Sequence, residues 1–307
     1  MGLLVIGDLV TDVVALHRDP VQRGTDTTAD IVVRPGGSGA NTAAWAAHLG
    51  ADTRLLARAG SDTATWHITE LKRAGVHPHV TVDPTLPTAV VIALVDPTGE
   101  RSMVTNRGAS RNLGPDDWSD DLLDGVRHLH LSAYTLFADP GLALARLAFQ
   151  AATGRGVSIS IDPASTRFLR DFGVARFLRE TAEASIVIPN RDEALLLTGE
   201  TEPEAAAIAL SGRYGTAVVK LGAYGALLAE HGTIVSRATH RELTMLDTTI
   251  DSTGAGDAFA AGFLAARLAG SPARECVEAG CRAGAEAVGG VGGRPPGRSV
   301  PTEALPY

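Results

Sequence analysis

The chain of 307 residues has little of what small, disulfide-stabilised or metal-stabilised proteins depend on. Its only cysteines are Cys276 and Cys281, too few for a disulfide framework or a four-ligand zinc site. Aromatic residues make up 5% of the chain, so the core must be built mainly from Ala, Leu, Val and Ile. A chain of this length can bury most of its apolar surface without disulfides or metals.

Long apolar segments are also missing. No run of roughly 18 apolar residues occurs, so no transmembrane helix is expected. The N-terminal segment MGLLVIGDLVTD has no basic region and reaches Asp8 after a short apolar run, which predicts a buried first strand rather than a secretory signal. Ile6 also breaks the myristoylation pattern. We therefore expect a cytoplasmic protein without a membrane partner.

Positive charge is scarcer than negative charge. The chain has 27 Lys and Arg against 35 Asp and Glu, a formal net charge of −8. A negative surface field argues against general binding to nucleic acid or to anionic membranes. It leaves room for a local basic pocket that binds a phosphate.

Short apolar segments rich in Val or Ile alternate with helix-like segments. Such alternation predicts parallel strands joined by right-handed crossovers, and hence an α/β fold with a doubly wound, mostly parallel sheet. We expect an antiparallel edge at 225–229 and 233–236. The other predicted strands are 3–6, 53–58, 126–131, 157–161, 185–188 and 216–220, and the predicted helices after residue 115 are 139–152, 171–182, 202–212, 255–269 and 272–288.

Two segments interrupt this alternation, at about 9–34 and 77–107. Both contain β-like pieces, and the second carries the turn signal Asp96-Pro97-Thr98-Gly99. We expect them to pair into a small β-sheet lid. The chain has no internal repeat and no flexible linker, so residues 1–307 are predicted to form a single domain.

The segment DSTGAGDAF (251–259) precedes an Ala-rich helix. Gly254 and Gly256 allow tight turning and close approach of a ligand, and the N–H groups at a helix N-terminus favour an anion such as a phosphate. A carboxylate at Asp257 repels a phosphate, but it suits a general base that takes a proton from a hydroxyl. The plainer alternative is a helix cap with an acidic first turn.

The same segment resembles the C-terminal signature of the ribokinase-like (PfkB) family of sugar and nucleoside kinases, and GGSGAN (36–41) resembles its N-terminal signature. The resemblance covers essentially the whole chain. It implies a kinase that moves the γ-phosphoryl group of ATP to a hydroxyl of a sugar or nucleoside and requires Mg²⁺.

The resemblance also implies roles for single residues. Asp257 matches the catalytic base, and three neighbours match the anion hole: Gly254, Ala255 and Gly256. Five residues match substrate-binding positions of the family: Asp8, Asp12, Gly36, Gly37 and Asn41. Two carboxylates four residues apart after a strand also suit bidentate acceptance from vicinal hydroxyls, with ordinary solvation of a loop as the alternative.

The nucleotide side of the site is implied in the same way. In PNRDE (189–193), Asn190 would lie near the nucleotide phosphates and Glu193 would orient water around Mg²⁺; an acidic helix start is the alternative. Lys220, Gly222 and Gly225 would pass near ATP, or belong to a simple hairpin. Asp251 and Thr253 would supply oxygens to a monovalent cation such as K⁺, and the tail 287–298 would cover adenine.

The phosphoryl acceptor is less well defined. Asp162 and Arg167 follow a predicted strand and resemble, with departures, the D-x-N-x-R element of ketohexonate and fructose kinases. Arg107 could meet a carboxylate or a phosphate, or lie in solvent. The alternatives to a sugar kinase are a pseudouridine-type nucleoside kinase, a 2-keto-3-deoxygluconate-type kinase and a non-catalytic nucleotide or sugar sensor. A dinucleotide oxidoreductase is excluded because no G-x-G-x-x-G follows the first strand. We expect a homodimer formed through the lid sheets.

Overall fold

The computed structural model describes residues 2–96, 101–238 and 251–296. These residues contain the strands β1 (Gly2–Ile6), β2 (Val10–His17), β3 (Ala29–Gly36), β4 (Asp52–Gly60), β5 (His77–Asp83), β6 (Ala89–Val95), β7 (Arg101–Asn106), β8 (Val126–Ser132), β9 (Ser158–Asp162), β10 (Ile186–Val187), β11 (Thr216–Lys220), β12 (Ala226–Glu230) and β13 (Thr233–Ala238). They also contain the helices α1 (Ser38–His48), α2 (Ala64–Arg73), α3 (Asp139–Gly154), α4 (Thr166–Phe172), α5 (Val174–Glu180), α6 (Arg191–Thr198), α7 (Pro203–Tyr214), α8 (Ala255–Leu268) and α9 (Ala273–Ala287).

Nine strands form one large sheet in the order β13-β12-β11-β10-β9-β8-β1-β4-β5. All neighbours from β11 to β5 pair in parallel, whereas β12 and β13 form an antiparallel edge. Strand β1 is buried over its whole length because helices cover both faces, as is usual for parallel sheets. The prediction of a doubly wound, mostly parallel sheet is confirmed.

The two faces of the large sheet carry separate apolar cores. Leu3 and Val5 point to one side, where they pack with Trp45 of α1 and Phe263 of α8. Leu4 and Ile6 point to the other side, where the core includes residues of α3, α5, α6 and α7. The alternation along β1 follows from the two-residue period of a strand.

Four other strands form a separate sheet, which we call the lid sheet, in the order β3-β2-β6-β7. Its four strands lie within or next to the two segments predicted for the lid, about 9–34 and 77–107, with one difference in the second segment. The segment 77–107 was predicted to join the lid as a whole, but His77–Asp83 pairs in parallel with β4 in the large sheet. This strand follows helix α2 directly and completes a parallel β-α-β crossover within the large sheet. The predicted turn residues 97–99 lie outside the described residues.

The segment predicted as one helix at 171–182 forms α4 and α5 instead. Gly173 separates them with a φ of 93°, a left-handed conformation that ends a helix. The strand-like stretch expected before Asp251 falls outside the described part of the chain. Among the described helices, none has the length and apolarity needed to cross a membrane.

Candidate active site

A cavity of about 570 Å³ lies between the carboxyl ends of the large sheet and the lid sheet. Its floor, here called the cavity floor, is formed by polar residues at strand ends and helix N-termini: Asp8, Ser38, Asn41, Asp162, Asn190, Glu193, Lys220, Gly254, Gly256 and Asp257. Its opposite side, here called the lid wall, is formed by lid-sheet residues with two aromatic neighbours: Val10, Asp12, Val14, Ala89, Val91, Ala93, Met103, Thr105, Tyr134 and Phe168. Carboxyl ends of parallel strands are the usual place for ligands in such sheets.

Asp257 lies in the first turn of α8, half-buried on the cavity floor. The helix begins after Gly254, whose φ of 75° is left-handed and whose missing side chain leaves room for the backbone of Gly293. Asp257 Oδ1 accepts a hydrogen bond from Ser38 Oγ at 2.9 Å, and Oδ2 accepts one from Asn41 Nδ2 at 3.0 Å. Burial raises the pKa of Asp257 to about 7, although both hydrogen bonds oppose the shift.

Asp8 and Asp12 lie near each other at the start of the lid. Asp8 Oδ1 accepts a hydrogen bond from the backbone N–H of Gly39 at 3.1 Å, and burial raises the pKa of this carboxyl. Asp12 is 7% exposed, and its carboxylate occupies the space where a side chain at Gly36 would sit. Burial, followed by the charge of Asp8, raises the pKa of Asp12 to about 7.

Asn190 and Glu193 hold each other at the start of α6. Asn190 Oδ1 accepts from the backbone N–H of Glu193, while the carboxylate of Glu193 accepts from the backbone N–H and from Nδ2 of Asn190. The two residues therefore cap the helix reciprocally, at the acidic helix start that the sequence offered as the alternative, and both also line the cavity. Burial, followed by the charge of Asp162, raises the pKa of Glu193 to about 7.

Lys220 ends β11 beside the N-terminus of α8. Its Nζ forms an ion pair with Asp162 Oδ2 at 2.5 Å, and a side chain at Gly256 would touch the same ammonium group. Burial alone would lower the pKa of Lys220, but the carboxylates of Asp162 and Glu193 raise it above its ordinary value. The cavity floor therefore holds one fixed cation among several carboxylates.

The lid wall is mainly apolar and includes two aromatic rings that the sequence analysis did not select. Tyr134 and Phe168 pack edge to face with ring centres 5.6 Å apart. Arg107 donates to the backbone oxygens of Tyr134 and Phe137 at 2.6 and 3.0 Å, and it also lines the cavity. Ser38 was missed too, although it lies inside the GGSGAN segment.

Several predicted site residues do not line this cavity. The side chain of Arg167 is 81% exposed and forms an ion pair with Asp171, so the structure does not bring it to the cavity, and its contact with substrate stays a prediction. Gly225 forms the turn after Gly222, and only Gly222 faces the cavity. The cavity lining includes Gly37 and Thr253 but does not include Gly36, Ala255 or Asp251.

The arrangement suits proton abstraction beside a bound anion. A carboxylate with a pKa near 7 is well matched to a general base at neutral pH. The N-terminus of α8 and the ammonium group of Lys220 lie on the same floor and favour a phosphate. A hydroxyl compound held against the lid wall would complete the reacting pair.

The chain is similar to known proteins over most of its length. The model of the pfkB family of carbohydrate kinases matches residues 2–299. An ATP-dependent ribose-1-phosphate kinase from Halopiger xanaduensis is 33% identical over 270 residues, which cover 87% of this chain and 83% of that protein. A 2-dehydro-3-deoxygluconokinase from Thermoproteus tenax is 31% identical, with 82% of this chain and 79% of that protein covered. The crystal structure of adenosine kinase from Sinorhizobium meliloti is similar with a TM-score of 0.86 at 27% identity, over 95% of each chain.

Proposed function

Because the chain belongs to the pfkB family of carbohydrate kinases, phosphotransferases that act on hydroxyl groups, we propose that it transfers the γ-phosphoryl group of ATP with Asp257 as general base. The observation that carries the proposal is the position of Asp257. Its carboxylate lies at the N-terminus of α8, is held by Ser38 and Asn41, and has a pKa of about 7.

In the proposed reaction, Asp257 accepts the proton of the acceptor hydroxyl. The hydroxyl oxygen forms a bond to the γ-phosphorus, and the bond from that phosphorus to the bridging oxygen of ADP breaks. Backbone N–H groups at the start of α8 and the ammonium group of Lys220 would stabilise the charge on the transferred group. Positioning and charge stabilisation carry most of the catalysis in phosphoryl transfer.

Mg²⁺ and a monovalent cation are part of the proposal. Glu193 and Asp162 offer hard oxygen ligands on the cavity floor, and the buried carboxylate of Glu193 suits contact with Mg²⁺ through water. Asp251 and Thr253 are proposed for K⁺. Asp251 is buried in a loop where its carboxylate accepts from the backbone N–H groups of Thr253 and Gly292, which brings negative charge to that loop.

The acceptor is proposed to be a ribose-type sugar. Asp8 and Asp12 supply carboxylates that accept hydrogen bonds from sugar hydroxyls. The rings of Tyr134 and Phe168 at the lid wall favour an acceptor with an aromatic substituent, so a nucleoside is the second candidate.

ADP release, measured with ATP and Mg²⁺ over pentoses, hexoses, keto-deoxy sugar acids, sugar phosphates and nucleosides, tests the proposal. We expect release that depends on one acceptor class and is faster in potassium than in sodium at equal ionic strength. Tight binding of ATP and a sugar with no ADP release for any acceptor would instead support a sensor. Equal rates in potassium, sodium and a bulky organic cation would remove K⁺ from the proposal.

We also propose a homodimer formed through the lid sheet. Val33, Val13, Ile92 and Val104 are in register across all four strands, on the face opposite to the residues that line the cavity. Val104 is 62% exposed and Ile92 is 40% exposed. A second copy of the chain would cover this apolar row. A mass near that of one chain in light scattering, across micromolar concentrations, would contradict the dimer.

A further inference from the structure

The loop that follows α9 contacts the residues around the candidate active site at several points. The backbone N–H of Gly292 donates to Asp251 Oδ2 at 3.0 Å, and the oxygen of Gly293 accepts from Trp45 Nε1 at 3.0 Å. Gly293 also packs against Gly254, with no room for a side chain at Gly254. These contacts fix the backbone that leads into Arg294.

Arg294 is half-buried and reaches the GGSGAN segment. Its Nε donates to Asn41 Oδ1 at 3.0 Å, and its Nη2 donates to the backbone oxygen of Gly36 at 3.4 Å. Asn41 in turn donates through Nδ2 to Asp257 Oδ2 at 3.0 Å. A continuous path of two hydrogen bonds therefore joins the C-terminal loop to Asp257.

The chemistry of this path fixes the orientation of the Asn41 amide. A guanidinium group can only donate hydrogen bonds, so the Asn41 atom that faces Arg294 must be its oxygen. The amide nitrogen must then face Asp257. With no donor-only partner, only the carboxylate of Asp257 would hold the amide in this orientation, and the N–H donor would be less firmly placed.

We propose that Arg294 is a positioning residue that, through Asn41, holds an N–H donor against the general base Asp257. The inference rests on the proposed function, because it assumes that Asp257 accepts the proton. A second path of two hydrogen bonds reaches the other carboxylate oxygen of Asp257. Ser132 Oγ donates to Ser38 Oγ at 3.1 Å, and Ser38 Oγ donates to Asp257 Oδ1.

The proposal predicts a change in pH dependence. Burial, and to a smaller extent the charges of Asp162 and Asp8, raise the pKa of Asp257, while the hydrogen bonds from Asn41 and Ser38 lower it. The positive charges of Lys220 and Arg294 also face this carboxylate. Loss of the oriented donor and of one positive charge therefore raises the pKa of Asp257. The acidic limb of kcat moves to higher pH, and activity at pH 7 falls more than activity at pH 9.

A second effect of Arg294 is separable from this one. Arg294 also lowers the pKa of Asp12, a proposed substrate-binding carboxylate. An action through Asp12 would raise the KM for the acceptor, whereas an action through Asn41 lowers kcat. The split between kcat and KM therefore shows which path operates.

The test compares Arg294→Gln and Arg294→Lys with Arg282→Gln as the control. Arg282 is on α9 with its side chain 61% exposed. Gln can donate or accept and cannot fix the amide, whereas Lys is a donor-only cation. We expect Arg294→Gln to lower kcat at pH 7 by about tenfold and to shift the acidic limb upward by about one pH unit, the usual size for a lost hydrogen bond to a charged group. Arg294→Lys should restore most of the activity.

A double-mutant cycle with Asn41→Ala completes the test. If Arg294 acts mainly through Asn41, the loss in the double variant is much smaller than the product of the two single losses, since the path is already broken. Fully multiplicative losses, or an unchanged acidic limb in a folded Arg294→Gln protein, would overturn the inference. Asp257→Asn in the same assay separates the two proposals. If that variant is nearly inactive while Arg294→Gln matches the parent, only the inference about Arg294 fails; near-parental activity of Asp257→Asn removes the general base itself.

Discussion

The cavity floor and the lid wall enclose the same space but are built differently. The floor lies at the ends of strands of the nine-stranded sheet. Each face of that sheet is covered by an extensive apolar core. Among the described residues, the apolar cluster of the lid sheet contains three buried side chains, Val14, Ala93 and Val95. Floor residues are fixed by many hydrogen bonds and ion pairs, whereas Met103 on the wall is 51% exposed.

This difference separates chemistry from selectivity. Groups that hold a proton or a phosphoryl group must be fixed within fractions of an ångström, and a well-packed floor provides that. A sheet with few buried apolar contacts opens at lower free energy than the core, which suits a wall that must admit an acceptor and then close over it. We therefore expect substitutions of the floor groups that act on the proton or the phosphoryl group to change kcat, and wall substitutions to change the KM for the acceptor.

The largest expected effect is at the floor. Asp257→Asn keeps the shape of the side chain and its ability to hydrogen-bond, so fold and ATP binding should persist. Turnover should fall by about 10²–10⁴-fold, the usual contribution of a positioned base. The effect should appear in kcat rather than in KM. If Asp257 only caps the helix, kcat will stay within a few-fold of the parent.

Asp12 tests the boundary between the two regions, because it is on a lid strand but carries a carboxylate. Asp12→Asn should raise the KM for the acceptor by about tenfold, as expected when a charged acceptor of hydrogen bonds is lost. The KM for ATP should not change. Asp30→Asn, on the exposed part of β3, is the matched control. An unchanged KM for every acceptor would remove Asp12 from the binding site.

Much of the floor could be predicted from the sequence, because its residues lie in short motifs at strand ends. Asp8, Asn41, Asn190, Lys220 and Asp257 all reach the cavity as expected. Strand periodicity and turn signals also located most of the large sheet. The fixed order of strand, turn and helix brings such motifs to one edge of the sheet, so local sequence is enough to place them.

The wall could not be predicted in the same way. Arg167 was selected, yet its neighbour Phe168 lines the cavity. Residues one apart on a helix point about 100° away from each other, so the choice depends on how α4 is rotated, which is set by tertiary packing. The aromatic group around Phe168 combines residues from distant parts of the chain, and no local pattern indicates it.

Phe168 provides the next test of the comparison. Phe168→Ala should raise the KM for acceptors with an aromatic substituent by about fivefold, because stacking and apolar contact are lost. Acceptors without such a substituent should be much less affected, and kcat should change little. Phe172→Ala is the control, because Phe172 packs on Phe137 in the same aromatic group but does not line the cavity. Equal losses for free sugars and nucleosides would argue against a base-binding wall.

The smallest expected effect is on stability, and it again separates floor from wall. Asp257 has a folded pKa of about 7, raised from 3.8 mainly by burial. The folded protein therefore binds a proton at this site more tightly than the unfolded chain does. The corresponding stabilisation is fully present below the unfolded pKa and is lost as the pH rises through about 7, where a charge must be held in the cavity floor.

Asp257→Asn removes that charge, so the variant should melt a few degrees above the parent at pH 8, and the difference in melting temperature should shrink as the pH falls toward 5. The pKa values of Asp12 and Glu193 lie in the same range. Both residues are present in the parent and in the variant, so their contributions to stability largely cancel when the two melting temperatures are compared. Melting curves of the two proteins without ligand, at matched ionic strength, give the result. A difference in melting temperature that does not vary with pH would mean that Asp257 is not held in a desolvated state.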